Sequence, residues 1–380
     1  MRDLITGLAR PVLRLLGRDD RGAIGVLIAV LIAGGALLGI GALVVDAGQL
    51  YQNRAELQNG ADAAALGVAR SCALGTCQAA VATNYANKNA SALTGNLAGV
   101  DLVCGSGSLG GCPGLTGAMT DCPSPPGSGT NYVDVHTSTR TPTGTLLPPV
   151  FARTLPGNSS YQGTNVQACA QAEWGAPSSA NTIAFTISAC SWYVYTNDGT
   201  TFAQPPPYPP NTVPPASYDH ILFEHGSKGS TTGGGCPLDN QSGADAPGNF
   251  GWTSDSGNCS TFISGNGSFS GQTGVPATSD CQTVIQNDWA KKLLVYVPVY
   301  ATVGGTGSGT TYTLLGFAAF VITGYHITGS FTADDWLNPN NKCTGNQFCI
   351  YGYFTQGLIP SPPGGLGGPP LGASAVKLTG

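Results

Sequence analysis

Residues Ala23–Val45 read AIGVLIAVLIAGGALLGIGALVV, twenty-three positions without a charged or strongly polar side chain. As a helix this run rises about 34 Å, enough for a hydrocarbon layer of roughly 30 Å. In lipid a helix satisfies its own amide and carbonyl groups, so the stretch is predicted to be a membrane span. It divides the chain into a short basic start and a long exterior.

Arg2, Arg10, Arg14, Arg18 and Arg21 precede the run, and Arg54 is the one basic residue close behind it. That bias places the N-terminus in the cytoplasm and residues 46–380 outside, a single-pass protein of the cell membrane. Leu4, Ile5, Leu8, Val12, Leu15 and Leu16 recur at helical spacing among the arginines. They fit either a short helix on the inner membrane surface or a solvated start. A cleaved secretory signal has an apolar region of only about 7–15 residues and a small-residue cleavage site. Here the run is longer and continues into Asp46-Ala47-Gly48-Gln49-Leu50-Tyr51, so an uncleaved anchor is expected.

Charged residues make up 9% of the 380, against about 25% in ordinary soluble domains. Residues 1–22 carry five Arg against three Asp, or +2; the remainder carries ten basic against seventeen acidic residues, or −7, which sum to the net −5. A negative exterior disfavours a nucleic-acid partner. All twelve cysteines follow the apolar run. An even number on the oxidising side reads as disulfides, and metal ligation is disfavoured because no C-x-x-C occurs. Cys72/Cys77 and Cys343/Cys349 are the expected local pairs, with the remaining connectivity open.

Asp46–Arg70, DAGQLYQNRAELQNGADAAALGVAR, lacks proline and is rich in Ala, Leu, Gln and Glu, so the helix is expected to continue as a stalk. Leu50, Leu57, Ala61, Ala64 and Val68 mark one narrow face of small side chains. Such a face suits close helix–helix contact, or packing on the chain's own exterior. Gly35 and Gly39 form a G-x-x-x-G, a packing face in lipid.

Arg21-Gly22-Ala23, the apolar run, Val45-Asp46-Ala47-Gly48-Gln49-Leu50-Tyr51, Arg54–Asn59 and Ala61-Asp62-Ala63-Ala64-Ala65 together resemble the N-terminal segment of TadE/TadG-like Flp pilus-assembly proteins. Pro247–Trp252, PGNFGW, resembles a shorter segment of the same group. The resemblance implies a membrane-anchored, pseudopilin-like part of the tight-adherence pilus or secretion machinery, with other pilin-like proteins as partners. Two departures qualify what it implies. Processed pilins of this system carry Glu five residues after the cleavage glycine, where this chain has Leu27 counted from Gly22. The D-x-S-x-S metal site of a von Willebrand A domain, carried by some TadG-like proteins, does not occur.

In the exterior, Cys72–Lys88 is expected to hold a disulfide and a short helix. Strands are predicted at Val100–Val103, Tyr132–Thr137, Asn165–Trp174, His220–His225, Leu293–Val303, Tyr312–Ile327 and near Cys343–Tyr353. Ala184–Tyr195, AFTISACSWYVY, fits a strand or a buried helix turn. Phe202–Ser217 has seven prolines and reads as a stiff spacer.

Chemistry is sparse. His220, Glu224 and His225 form H-x-x-x-E-H, which matches neither zinc-protease spacing. Asp239/Asp245 and Asp334/Asp335/Asn338/Asn340 are read as turn formers rather than calcium ligands. Trp192, Trp252 and Trp336 are read as core. No nucleophile elbow or phosphate loop is found.

The expected class is α+β: an N-terminal transmembrane helix continuing into a helical stalk, then a disulfide-rich, mainly antiparallel β exterior. The expected divisions are 1–22 basic segment, 23–45 span, 46–88 stalk, 89–202 first Cys-rich unit, 203–217 Pro-rich linker, 218–359 second Cys-rich unit and 360–380 flexible tail. No cofactor and no enzymatic activity are expected. The alternatives to a pilus component are a surface adhesive or ligand-binding protein, or an anchored hydrolase.

Overall fold

The computed structural model describes residues 20–33, 36–90, 97–113, 122–141, 144, 146–147, 149–154, 159–210, 212–224, 250–265, 267–272, 279–305, 309–327, 330–343, 347–360 and 364–380. The readings made on Cys236, His225, Asp239, Asp245 and Gly35, and on residues 1–19, lie outside the described residues.

The apolar run is carried by α1 (Asp20–Ala33) and the start of α2 (Ala36–Ala73). Only residues 36–45 of α2 are continuously apolar. Among the described residues, no helix is long and apolar enough to cross a membrane. Residues 34–35, within the expected span, lie outside the described residues.

Beyond residue 45, α2 runs without interruption to Ala73, as the stalk reading expects, and Cys72–Cys77 ties off its end. α3 (Val81–Asn89) folds back along it. Glycines let the two helices approach. A Cβ at Gly60 would meet the Ala86 carbonyl oxygen at 3.0 Å, and one at Gly67 would enter the Tyr85 ring.

This helix pair lies on a sheet of five strands in the order β1 (Leu97–Gly105), β2 (Asn131–Arg140), β3 (Gln167–Gly175), β15 (Ala373–Leu378) and β14 (Gly357–Leu358). Its pairs are antiparallel except β14–β15. Cys104–Cys112 and Cys122–Cys169 tie the segment between β1 and β2 to β1 and to the central β3. Leu57, Ala61, Ala64, Val68, Val133, Val135, Ala170 and Ala172 share one core between helix and sheet.

The second unit is built on β11 (Thr311–His326), a 16-residue strand buried almost throughout its second half. It pairs antiparallel with β10 (Leu294–Gly304), as the two strongest strand signals predict. β5 (Phe185–Ser188), β7 (Phe250–Thr253) and β9 (Ser268–Gln272) continue from β10 and return to β11, closing a ring of five strands. β13 (Cys349–Thr355) and β6 (His220–Phe223) extend the other end of β11, where β12 (Thr332–Ala333) also pairs. β4 (Ser179–Ile183) and β8 (Ser260–Ser264) form a separate ladder. Phe185, Phe250, Trp252 and Phe320 meet edge to face in the centre, and α5 (Ser279–Lys291), fastened by Cys259–Cys281, covers one side.

The ambiguous stretch 184–195 is strand and helix in turn. β5 ends at Ser188, whose hydroxyl accepts the Ser191 N–H and so caps α4 (Ala189–Thr196). Asn197, at φ 49°, closes that helix in the left-handed region.

Two divisions of the chain are corrected. Residues 179–196, expected in the first unit, build the second, because their run of Ile, Phe and Trp is its core. Residues 360–380, expected to be a flexible tail, supply β15 to the first sheet. Ala373 and Ala375 are buried there, and the pairing continues through reciprocal bonds of Gln171 with Thr379 and Gly380. The Pro-rich run 203–217 lies along β13. The Ala203 N–H donates to the Phe354 carbonyl, Thr355 Oγ1 donates to the Ala203 carbonyl, and the Tyr208 and Tyr353 hydroxyls bond to each other. Proline contributes no ladder donor, so side chains make most of this attachment.

Candidate functional site: an exposed apolar helix on a packed stalk

The two halves of the N-terminal helical region have opposite surroundings. In the first, large apolar side chains stand in the open: Ile24 is 66% exposed, Leu43 65%, and Val26, Leu27, Val30, Ile32, Ile40, Val44 and Val45 are similar. In the second, Leu57, Ala61, Ala64 and Val68 are wholly excluded from solvent. Leu50 is half-buried at the changeover, and so is Gly39 within the apolar half. The narrow face read from the sequence is therefore covered by the chain's own α3 and first sheet. Exposed large apolar side chains in such number mark a contact with lipid or another protein.

Asp46 stands where the apolar half ends. Its carboxylate accepts the backbone N–H groups of Val150 (2.8 Å), Phe151 (3.1 Å) and Ala152 (2.6 Å), tying a loop of the exterior to the helix. Hydrogen bonds to an ionised acceptor are about twice as strong as neutral ones. One turn into the packed half, the Asn53 amide donates to the Gln49 carbonyl. Gln58 then donates to the Cys169 carbonyl at 2.8 Å and to Asp62 Oδ1 at 2.7 Å, and Thr137 Oγ1 donates to the Leu57 carbonyl. Sequence reasoning gave Asp46 no role. The available signal was its place as the first charged residue after the apolar run.

The other clusters are structural. Cys104, Cys112 and Asp134 bring three ligand-type atoms within 4.8 Å. The two sulfurs are bonded to each other, which leaves neither as a thiolate and Asp134 as the lone donor. Asp335 caps a turn by accepting the Leu337 and Asn338 N–H groups, in keeping with the turn-forming reading. Its second oxygen accepts from Asn341, which also donates to Asp219, and Thr323 Oγ1 donates to Asp219 at 2.6 Å. Burial, and then the neighbouring Asp335 carboxyl, push the Asp219 carboxyl up to about 8.

The His220 ring stacks on Tyr195 at 4.0 Å, and burial lowers its pKa to about 4. Burial pushes Glu224 up to about 7; the Trp252 indole N–H opposes this without closing a satisfactory hydrogen bond. Trp192 and Trp252 are core residues, and Trp336 is half-buried beneath the Lys292 ammonium. Cys343–Cys349 closes the loop before β13, as expected.

Residues 22–71 match the family described as "Putative Flp pilus-assembly TadE/G-like". This segment spans the exposed apolar half, Asp46 and the packed stalk. No curated protein and no solved structure matches the chain.

Proposed function

We propose that this chain is a structural component of a Flp-type, tight-adherence pilus or secretion machinery. In this reading it is pseudopilin-like and held in the cell membrane by residues 23–45, with a cytoplasmic N-terminus and its exterior outside. The apolar half of the helical region lies in lipid, beside other pilin-like or pilus-assembly proteins. The stalk carries a rigid, disulfide-bonded body rather than a catalytic centre.

The observation that carries this reading is the division of one family-matched segment into an apolar half facing outward and a half sealed against its own sheet. Lipid is the environment in which an uncompensated apolar helix costs nothing. Asp335 caps a turn, Asp219 is buried beside it and His220 stacks on Tyr195, which favours a structural role.

The test is to tag each terminus of the full chain in living cells and extract the membranes with alkaline carbonate. The protein stays in the pellet, its C-terminal tag accessible from outside and its N-terminal tag protected; a variant lacking residues 20–45 is released. A full chain extracted by carbonate, or a C-terminal tag found inside, refutes the anchored topology. Loss of pili on deletion of the gene, with no defect in unrelated envelope proteins, separates assembly from a general adhesive role.

A further inference from the structure

The loop that Asp46 holds displays apolar residues of its own. Leu146, Val150 and Phe151 are 45%, 51% and 44% exposed. Between them Leu147 is buried in the helix–sheet core, and its backbone makes both hydrogen bonds with Thr164. The loop is therefore fixed at two places, by Leu147 to the body and by residues 150–152 to Asp46.

We propose that this loop is a lipid-contacting seat, which inserts Leu146, Val150 and Phe151 into the interfacial layer of the outer leaflet and so holds the exterior against the membrane. The proposal rests on the anchored reading above and goes beyond it, since a span alone leaves the exterior free to tilt.

Position carries the argument. The apolar run ends at Val45, one residue before the carboxylate that binds the loop. Each bilayer face has a polar layer roughly 5–8 Å deep outside the hydrocarbon. Backbone nitrogens within 3.1 Å of Asp46 oxygens fall inside that layer when Val45 ends the span. Trp and Tyr favour the interface, and Tyr51, 77% exposed, stands six residues beyond Val45 on the same helix. Three half-exposed side chains offer only a few hundred Å², well under the ~1,000 Å² of a stable protein interface. As a continuation of the apolar helix surface they suit lipid.

The test uses the full chain in phosphatidylcholine vesicles, with or without lipid brominated near the carbonyl end of its acyl chains. Phe151→Trp adds emission to that of the five native tryptophans; bromolipid removes at least half of the added signal. Val150→Trp replaces it should the first variant misfold. Leu43→Trp reports on the span itself, and Phe262→Trp, exposed on β8, serves as the off-helix comparison. Quenching at 151 and 43 but not at 262 supports the seat. Quenching at 43 alone overturns the seat and leaves the anchor standing. Quenching at neither brings down both. A signal at 151 that escapes bromolipid yet shifts to the blue as copies per vesicle increase assigns the loop to a second copy and overturns the lipid contact.

Discussion

Leu57→Ala tests whether the stalk rests on its own sheet. Leu57 is 0% exposed, and its core neighbours are largely alanines, among them Ala61, Ala64, Ala168 and Ala170. Short, stiff side chains cannot reach into the space that three lost carbons leave. Leu→Ala in cores costs about 2–5 kcal/mol, more where the site collapses poorly. The expected loss is therefore about 3–4 kcal/mol, a fall of two to three powers of ten in the folded-to-unfolded ratio. The measurement is urea unfolding of the oxidised full chain in detergent. It is followed by far-ultraviolet circular dichroism and by tryptophan emission, to which Trp174, packed on the same core, contributes. Tyr51→Ala, on the same helix but 77% exposed, should stay within about 0.5 kcal/mol of the parent. A Leu57→Ala cost below about 1 kcal/mol, or one equal to that of Tyr51→Ala, refutes the packing. It would free that helix face for partner helices.

Removing Cys122–Cys169 with paired serines should cost about 4 kcal/mol by loop entropy, against about 2 for Cys343–Cys349. The two bridges close separations of 47 and 6 residues; urea midpoints of the two double variants give the order, and equal losses contradict it. Asp219 supplies a pH dependence. Its carboxyl is raised from the ordinary 3.8 to about 8 in the folded chain, so the fold binds this proton more tightly than the unfolded chain does. That contribution is complete below pH 4 and is lost as pH rises from about 4 to 8. Asp219→Asn should flatten the fall in melting temperature across that window, and parallel profiles for variant and parent would rule the assignment out.

What the sequence discloses depends on how far apart the interacting residues lie. The stalk, the β10–β11 pair and the two short disulfides are local, and periodicity or spacing is enough to place them. Ala184–Tyr195 carries both helical and strand character because it is both, and the switch rests on one hydroxyl, that of Ser188. Nothing near Asp46 discloses that its partners lie 104 to 106 residues on. The identity of the apolar stalk face is legible from Leu57, Ala61 and Ala64, but what covers it is not, since a partner helix and the chain's own sheet ask for the same small side chains.

The last strand extends this reasoning. Ala373-Ser374-Ala375-Val376 alternates buried and half-buried before exposed Lys377 and Leu378, but alanine is a poor strand former and the segment follows a run of Gly and Pro. Its pairing with β3 spans some two hundred residues of sequence. The sheet under the stalk is therefore incomplete until β15 has been made, with the second unit inserted between β3 and β15. The division into two successive units follows composition, whereas the fold joins β1–β3 and β15 in one sheet. That arrangement fixes the helix-bearing body and the second unit to each other at both ends of the insertion, so a force on either is carried by two crossings rather than one linker.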